Sequence, residues 1–175
     1  LSILAFISYQ QAGLWKDSNT LFSHTIQISP NNPVAHYALG HTLELQGDQA
    51  GAETHYQAAI KDSPSFFQVH NNLATIYTSQ GKLQEAISHF EKVAELRPDF
   101  ADSHINFANA LAMAGQNEQA ISEFNKGLAI KPDSEMAHMN LGVIYLGLNN
   151  MEKPVQHLAN AVLINPGVSH LQYNP

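Results

Sequence analysis

Histidine is the residue type in this chain that could support the widest range of chemistry. The 175 residues include ten histidines, and an imidazole can bind a metal ion or exchange a proton near neutral pH. Seven of them fall into two rows whose members are separated by multiples of 34 residues. These are His36, His70, His104 and His138 in the first row, and His55, His89 and His157 in the second.

Distance argues against a metal ion shared along either row. Packed helices lie ~10 Å apart, whereas the bond from zinc to a histidine nitrogen is only ~2.0–2.1 Å. The sequence contains no His-Glu-x-x-His pattern and no cysteine, so thiolate sites and disulfides are also excluded. We therefore expect the histidines to pack between helices, with no metal and no cofactor.

A row of asparagines, Asn72, Asn106 and Asn140, repeats with the same step of 34 residues. Each side-chain amide has two donors and an acceptor oxygen, enough to pair with both polar groups of a peptide unit. An extended chain rises ~3.3 Å per residue, so helices ~10 Å apart would meet roughly every third residue. The alternative is that these amides bond only to neighbouring helices, as most buried amides are satisfied within the protein.

Catalytic patterns are missing from the sequence. There is no Gly-rich phosphate loop and no Gly-x-Ser-x-Gly, and the repeat itself explains the positions of Ser, His and Asp. We expect no enzyme activity. With a formal charge of −7 and only eight Lys and Arg residues, the chain lacks the basic stripe that nucleic acid requires.

The elements that carry these residues are read most clearly from residues 67–98. Apolar residues recur at helical spacing over 67–79 and 83–96, which predicts two helices. Gly81 lies between them and accepts the positive φ found after a helix end. Pro98 ends the second helix because proline has no N–H and its ring clashes with the preceding turn.

The same punctuation recurs along the chain. A fixed period of this length is typical of repeat architectures, in which each unit packs only on its neighbours. The recurring residues are Pro30, Pro64, Pro98, Pro132 and Pro166, with turn residues Gly13, Gly47, Gly81, Gly115 and Asn149.

Leu73, Ala74, Tyr77, Gly81, Ala86, Phe90 and Pro98 together resemble the tetratricopeptide repeat (TPR). The resemblance implies an all-α fold, a TPR solenoid in which helix-turn-helix hairpins stack into a right-handed superhelix of ten helices. It implies one domain over residues 1–175. Its parts are a partial repeat 1–32, full repeats 33–66, 67–100, 101–134 and 135–168, and a tail 169–175 that is a truncated next repeat.

In that family the first helices line a concave groove that holds protein or peptide. The resemblance therefore implies a protein-protein interaction scaffold whose partner-binding candidates are Tyr37, His41, Asn71, Asn72, Thr75, Ile105, Asn106, Asn109, Met139, Asn140 and Val143. Their neutral centre and apolar flanks predict a neutral to apolar segment as partner. The asparagine row is similar to the ladder that holds peptides in the repeats of O-GlcNAc transferases.

Two other functions stay open. The run Leu14 to Phe22 is similar to the segment after the last membrane helix in TPR-bearing membrane proteins of the O-mannosyltransferase type. The chain would then be the soluble part of a membrane glycosyltransferase, tethered outside these residues; an ordinary first hairpin is the competing interpretation. Alternatively, an apolar end face with Val155, Leu158 and Val162 would let copies stack head to tail.

Three local features carry their own predictions. Asn32 and Pro33 predict a capped helix start. Gly127 stands where other repeats carry Ala59 and Val93, which predicts either a softer helix or a close neighbour. Pro154 predicts that its helix begins near Glu152, because proline is accommodated close to a helix start.

Overall fold

The structure, a computed structural model, describes residues 18–148 and 152–164, and every regular element within them is an α-helix. This confirms the all-α prediction. The helices are α1 Ser18–Ile28, α2 Pro33–Leu45, α3 Gln49–Asp62, α4 Phe67–Ser79, α5 Leu83–Leu96, α6 Ala101–Met113, α7 Asn117–Ile130, α8 Glu135–Gly147 and α9 Glu152–Ile164.

The hairpin turns follow the sequence prediction. Gly47, Gly81 and Gly115 have φ values of 84°, 73° and 76°, a region that glycine reaches without a steric cost. At the start of α2 the Asn32 side chain accepts a hydrogen bond from the Ala35 backbone N–H, and Pro33 follows at the first helical position. Asn149, predicted to replace the turn glycine, lies outside the described residues.

The chain forms two compact units, Leu1–Ile76 and Tyr77–Pro175. In the first unit α2 packs against α1 and α3. In the second, α6 packs against α5 and α7, and α8 packs against α9, α7 and α6. The single domain expected over all 175 residues stays a prediction, and the run Leu14 to Phe22 begins outside the described residues.

Alternating small and large side chains build the core of each unit. Ala52, Ala86 and Ala120 are fully buried at equivalent places near the starts of α3, α5 and α7, with Pro154 in the same place on α9. Four residues later Tyr56, Phe90 and Phe124 fill the space that these small residues leave. Interdigitation of this kind gives protein interiors their high packing density.

Gly127 is explained by a close approach rather than by a soft helix. A Cβ atom added at this position would lie 2.7 Å from Cγ1 of Ile105, so the α6 side chain occupies the space of the missing methyl group. Helix α9 begins at Glu152, as predicted from Pro154. None of the helices within the described residues is long and apolar enough to cross a membrane.

Candidate functional site

The predicted partner-binding residues fall on the first helices of the hairpins, and we treat each compact unit separately. The first-unit face is defined by Tyr37 and His41 on α2 and by Asn71, Asn72 and Thr75 on α4. The second-unit face is defined by Asn106 and Asn109 on α6 and by Met139, Asn140 and Val143 on α8. His41, Thr75 and Val143 are exposed, and the other residues of both faces are half-buried.

Ile105 differs from the other candidates because it is a core residue. Its side chain is only 1% exposed, and it occupies the space beside Gly127 described above. Helical spacing placed Ile105 next to Asn106 on the predicted groove, but the glycine on α7 draws the isoleucine inward. In this conformation Ile105 supports the face from below, and its side chain is not available for contact with a partner.

In the first unit, Asn72 belongs to a short hydrogen-bonded chain. Its Nδ2 donates to the Tyr56 hydroxyl at 3.0 Å, and that hydroxyl donates to Glu44 Oε2 at 2.6 Å. Burial, and then the neighbouring carboxylate of Glu44, raises the pKa of Tyr56 well above its usual range. One donor of the Asn72 amide is therefore held by the core.

Asn71 contributes the least satisfied polar atom of the first-unit face. Its Nδ2 makes only a long 3.4 Å contact with Asn72 Oδ1. Its own Oδ1 is buried and has no hydrogen-bond partner within the described part of the chain. Beside it, the Tyr37 ring packs 5.0 Å from Phe66 between centroids, and burial followed by Glu44 raises the pKa of Tyr37.

In the second unit, two of the amides bond to each other. Asn140 Nδ2 donates to Asn109 Oδ1 at 2.6 Å, linking α8 to α6, and Asn109 Nδ2 approaches Met136 Sδ at 3.9 Å. This is the alternative in which asparagines bond to neighbouring helices. Because Asn72 and Asn140 both use a donor in this way, the row has one unengaged member, Asn106.

Asn106 lines an open cavity of about 480 Å³ between α6 and the start of α8. Its amide makes no hydrogen bond to any described residue. Met136 forms an apolar wall of the same cavity, and the ion pair of Lys131 Nζ with Asp102 Oδ1, at 3.3 Å, stands beside it. The cavity therefore combines one available amide, an apolar surface and a mixed-charge rim.

Exposed apolar side chains border both faces. A few such residues are normal on any protein surface, but here several lie on or beside the helices that carry the amides. They are Val34 and Leu45 in the first unit, and Met113, Met136, Val143 and Leu146 in the second. At the predicted end face Val155 is 69% exposed and Leu158 half-buried, and the Val162 side chain lies outside what the structure describes.

The first histidine row packs between helices, as the sequence predicts. His36, His70, His104 and His138 are at most 9% exposed. In each, Nε2 lies 2.9–3.0 Å from the carbonyl oxygen of the proline six residues earlier, and it must donate because a carbonyl only accepts. No cluster of three or more potential metal ligands occurs in the described ranges.

A relation across the hairpins was missed from the sequence. First-row histidines contact the residue 19 positions later on the second helix of the same hairpin. That residue is His55 for His36, Glu123 for His104 and His157 for His138. The constant offset of 19 is visible in the sequence and could have revealed the pairing.

Comparison with known proteins gives one consistent family. Two tetratricopeptide-repeat family profiles match residues 37–101 and 77–139, together more than half of the chain. A protein O-mannosyl-transferase of Caenorhabditis elegans is 39% identical over 66 residues, a match that covers 37% of this chain and 10% of that protein. The chain thus matches only about a tenth of the length of this curated relative.

Solved structures with the same fold include two of MamA. One has a TM-score of 0.82 at 18% identity, covering 93% of this chain and 95% of that one. MamA from Desulfovibrio magneticus RS-1 has a TM-score of 0.80 at 18% identity, with coverages of 93% and 94%. YrrB, described as a TPR protein with an unusual peptide-binding site, has a TM-score of 0.78 at 20% identity, with coverages of 93% and 83%. At these identities the likeness concerns the fold alone.

Proposed function

Because this chain belongs to the tetratricopeptide-repeat family, we propose that it is a non-catalytic protein-interaction module that holds an extended, neutral to apolar segment of a partner. The partner segment would lie against the first-helix faces. Tetratricopeptide repeats are protein-binding scaffolds, and the family alone supports the general role. The finer proposal, that the segment's backbone is bound, rests on the amide of Asn106.

Asn106 is the observation that carries the peptide proposal. Its amide has two donors and an acceptor oxygen, all without partners among the described residues, at the edge of an open cavity. A peptide unit of a partner offers a matching N–H and C=O. The apolar wall at Met136 and the exposed Val143 would bury a partner's side chain, and methionine adapts readily to different shapes.

The test is to select binders and then remove the amide. Twelve-residue peptides without net charge, displayed on phage, would be selected on the whole chain, and the affinity of one selected peptide measured by isothermal titration. We expect Asn106→Ala to weaken that peptide about tenfold, the loss of roughly one to two hydrogen bonds. Asn125→Ala is the matched control, since Asn125 is an exposed amide on α7, outside both faces.

Two outcomes would count against the proposal. If no neutral peptide is selected, or if selected peptides bind the Asn106→Ala and Asn125→Ala variants equally well, the second-unit face is not a backbone-reading site. Transfer of the binding loss to Leu45→Ala or Tyr37→Ala alone would place the peptide on the first-unit face and leave Asn106 without a role.

A second candidate is favoured by the match to the Caenorhabditis elegans protein. In that case the chain is the tetratricopeptide part of a membrane glycosyltransferase, and its repeats would present protein substrates to a catalytic part elsewhere. The complete coding sequence decides this, because several apolar membrane spans would then precede Leu1. A complete coding sequence without such spans would eliminate this candidate.

Head-to-tail assembly is a third candidate, and exposure on α9 favours it. Val155 and Leu163 are 69% and 79% exposed, and apolar residues exposed on one helix are a common feature of association surfaces. Light scattering of the chain over a hundredfold range of concentration should show growth in mass. A constant monomer mass over that range would rule out this assembly.

A further inference from the structure

Two histidine pairs bridge the two helices of their hairpins in the same way. In the hairpin of α2 and α3, His36 Nδ1 lies 3.0 Å from His55 Nδ1. In the hairpin of α8 and α9, His138 Nδ1 lies 3.1 Å from His157 Nδ1. The first ring of each pair is buried and the second is half-buried. Each pair lies wholly within one compact unit.

The geometry of the pairs fits a shared proton and not a metal ion. The ring centroids are 5.3 Å apart in the first pair and 5.4 Å in the second. Since each nitrogen lies ~1.2 Å from its ring centre, these separations place the two nitrogens almost on the line between the centroids. A metal on that line would be only ~1.5 Å from each nitrogen, well short of the ~2.0 Å bond it needs.

The carbonyl groups fix which nitrogen carries the hydrogen. His36 Nε2 must donate to the Pro30 carbonyl, as His138 Nε2 must to Pro132, so a neutral first ring has a bare Nδ1. The second ring then donates from its own Nδ1. One added proton can be held between the rings, but two would set N–H against N–H at 3.0 Å and break the contact.

The hairpin of α6 and α7 is the chain's own counterexample. There Glu123 takes the place of the second histidine, and its Oε2 lies 2.6 Å from His104 Nδ1. Both nitrogens of His104 face acceptors, so a doubly protonated ring satisfies this hairpin fully. Lys126 Nζ also contacts the other carboxylate oxygen of Glu123, at 2.6 Å.

We propose that the His36–His55 and His138–His157 pairs are acid-sensitive contacts, which hold the hairpins of residues 33–62 and 135–164 closed near neutral pH and release them in mild acid. The hairpin of residues 101–130 stays closed under the same conditions because its pair is a histidine and a carboxylate. Mild acid would therefore remodel each unit's partner-binding face through the helices α2 and α8. This goes beyond the proposed binding function and does not depend on the identity of the partner.

Other ionisable groups surround the pairs and are few in kind. Burial, and then the neighbouring ring of His36, lowers the pKa of His55, as expected for a ring that resists a second charge. Tyr145 stacks on His157 at 5.7 Å, and Asp133 lines the same cavity as His138. The remaining ionisable side chains around the first pair are His24 on α1, Tyr37, His41 and Glu44 on α2, and Glu53, Tyr56, Lys61 and Asp62 on α3.

The sign of the effect follows from proton counting. An open hairpin binds a proton on each histidine as the pH falls through the reference pKa of ~6.5, whereas a closed pair binds at most one. Opening therefore takes up about one extra proton per pair below that pH. The equilibrium constant for opening rises up to about tenfold per pH unit, so stability present above pH ~6.5 is lost as the pH falls.

The experiment is hydrogen exchange of the whole chain, read by mass spectrometry for each hairpin between pH 7.5 and 5.0 and corrected for the intrinsic pH dependence of exchange. We expect opening of residues 33–62 and 135–164 to increase by about tenfold per pH unit below pH 6.5. Residues 101–130 should change little. Equal acid dependence in all three hairpins would overturn the proposal.

Substitutions that exchange the second residue make the test specific. His55→Glu with His157→Glu copies the Glu123 arrangement and should remove the acid-induced opening of both hairpins. Glu123→His is the reverse change, and it should make residues 101–130 acid-sensitive. Should the double carboxylate variant fail to fold, His55→Gln with His157→Gln keeps a donor to each first ring without a second titrating group. Acid opening that persists undiminished in either double variant would refute the proposal.

Discussion

The amide of Asn72 and the hydroxyl of Tyr56 lie 3.0 Å apart, so a residue of the first-unit face is tied directly to the core beneath it. Tyr56 is fully buried and passes the interaction on to Glu44. Asn106, at the equivalent position of the second unit, has no such bond within the described residues. The two asparagines therefore differ in what they contribute to stability.

We expect Asn72→Ala to lower the free energy of unfolding by about 1–2 kcal/mol, because it leaves the buried Tyr56 hydroxyl with one partner fewer. Asn106→Ala should change it by less than about 0.5 kcal/mol, as for most surface substitutions. Urea unfolding of both variants measures the difference. Equal losses at the two positions would contradict this assignment.

Gly40→Ala should destabilise the first unit although alanine favours helices. A Cβ atom at Gly40 would lie 2.8 Å from the Tyr56 ring, which Glu44 and Asn72 hold in place, and overpacking of this kind costs roughly 1–3 kcal/mol. The control is Gly147→Ala, where no described atom lies within 4 Å of the added methyl group. There we expect no loss, and up to ~1 kcal/mol of gain from helix propensity. Thermal unfolding that ranks the two variants the other way round would show that the Tyr56 ring can move.

The network of Glu123 should depend on its buried partner and not on its exposed one. Glu123→Ala leaves the buried ring of His104 without its acceptor, and breaking a buried pair costs roughly 3–5 kcal/mol. The Lys126 side chain is 55% exposed, so Lys126→Ala should cost less than ~1 kcal/mol. Chemical denaturation at pH 7 compares them, and similar losses would mean that Lys126 matters more than its exposure implies.

Acid should also change the solubility of the chain. Full protonation of the ten histidines takes the formal charge from −7 to +3, so the net charge passes through zero in mild acid. We expect solubility to be lowest between about pH 5 and 6.5, where repulsion between molecules is weakest. Turbidity across that range measures it, and a flat profile would show that net charge does not control association.

The period of the sequence predicted local structure well because helix ends depend on nearby residues. The bounds of α4 and α5, the positive φ at Gly81 and the cap at Asn32 each follow from a residue type that acts within one turn of its own position. The close approach at Gly127 was one of two predicted outcomes, because a missing side chain either frees space or admits a neighbour.

What could not be predicted depended on pairs of residues on different helices. Periodicity places Ile105 and Asn106 on one side of α6, but only the position of Gly127 decides that Ile105 turns inward. The bond from Asn140 to Asn109 and the histidine contacts across each hairpin likewise require the distance between two packed helices. A search for metal ligands along one row of histidines did not consider partners across the hairpin.

The bond from each first-row histidine to the proline carbonyl six residues earlier bears on how the chain can change in length. An inserted residue between Pro98 and His104, once the helix has begun, would rotate the ring by about 100° away from its acceptor. The turns at Gly47, Gly81 and Gly115 carry no such bond and have open space around them. Insertions and deletions of a few residues should therefore accumulate in those turns during evolution. Repeats themselves should be gained or lost as whole cassettes of 34 residues, each bringing its own proline and its own histidine.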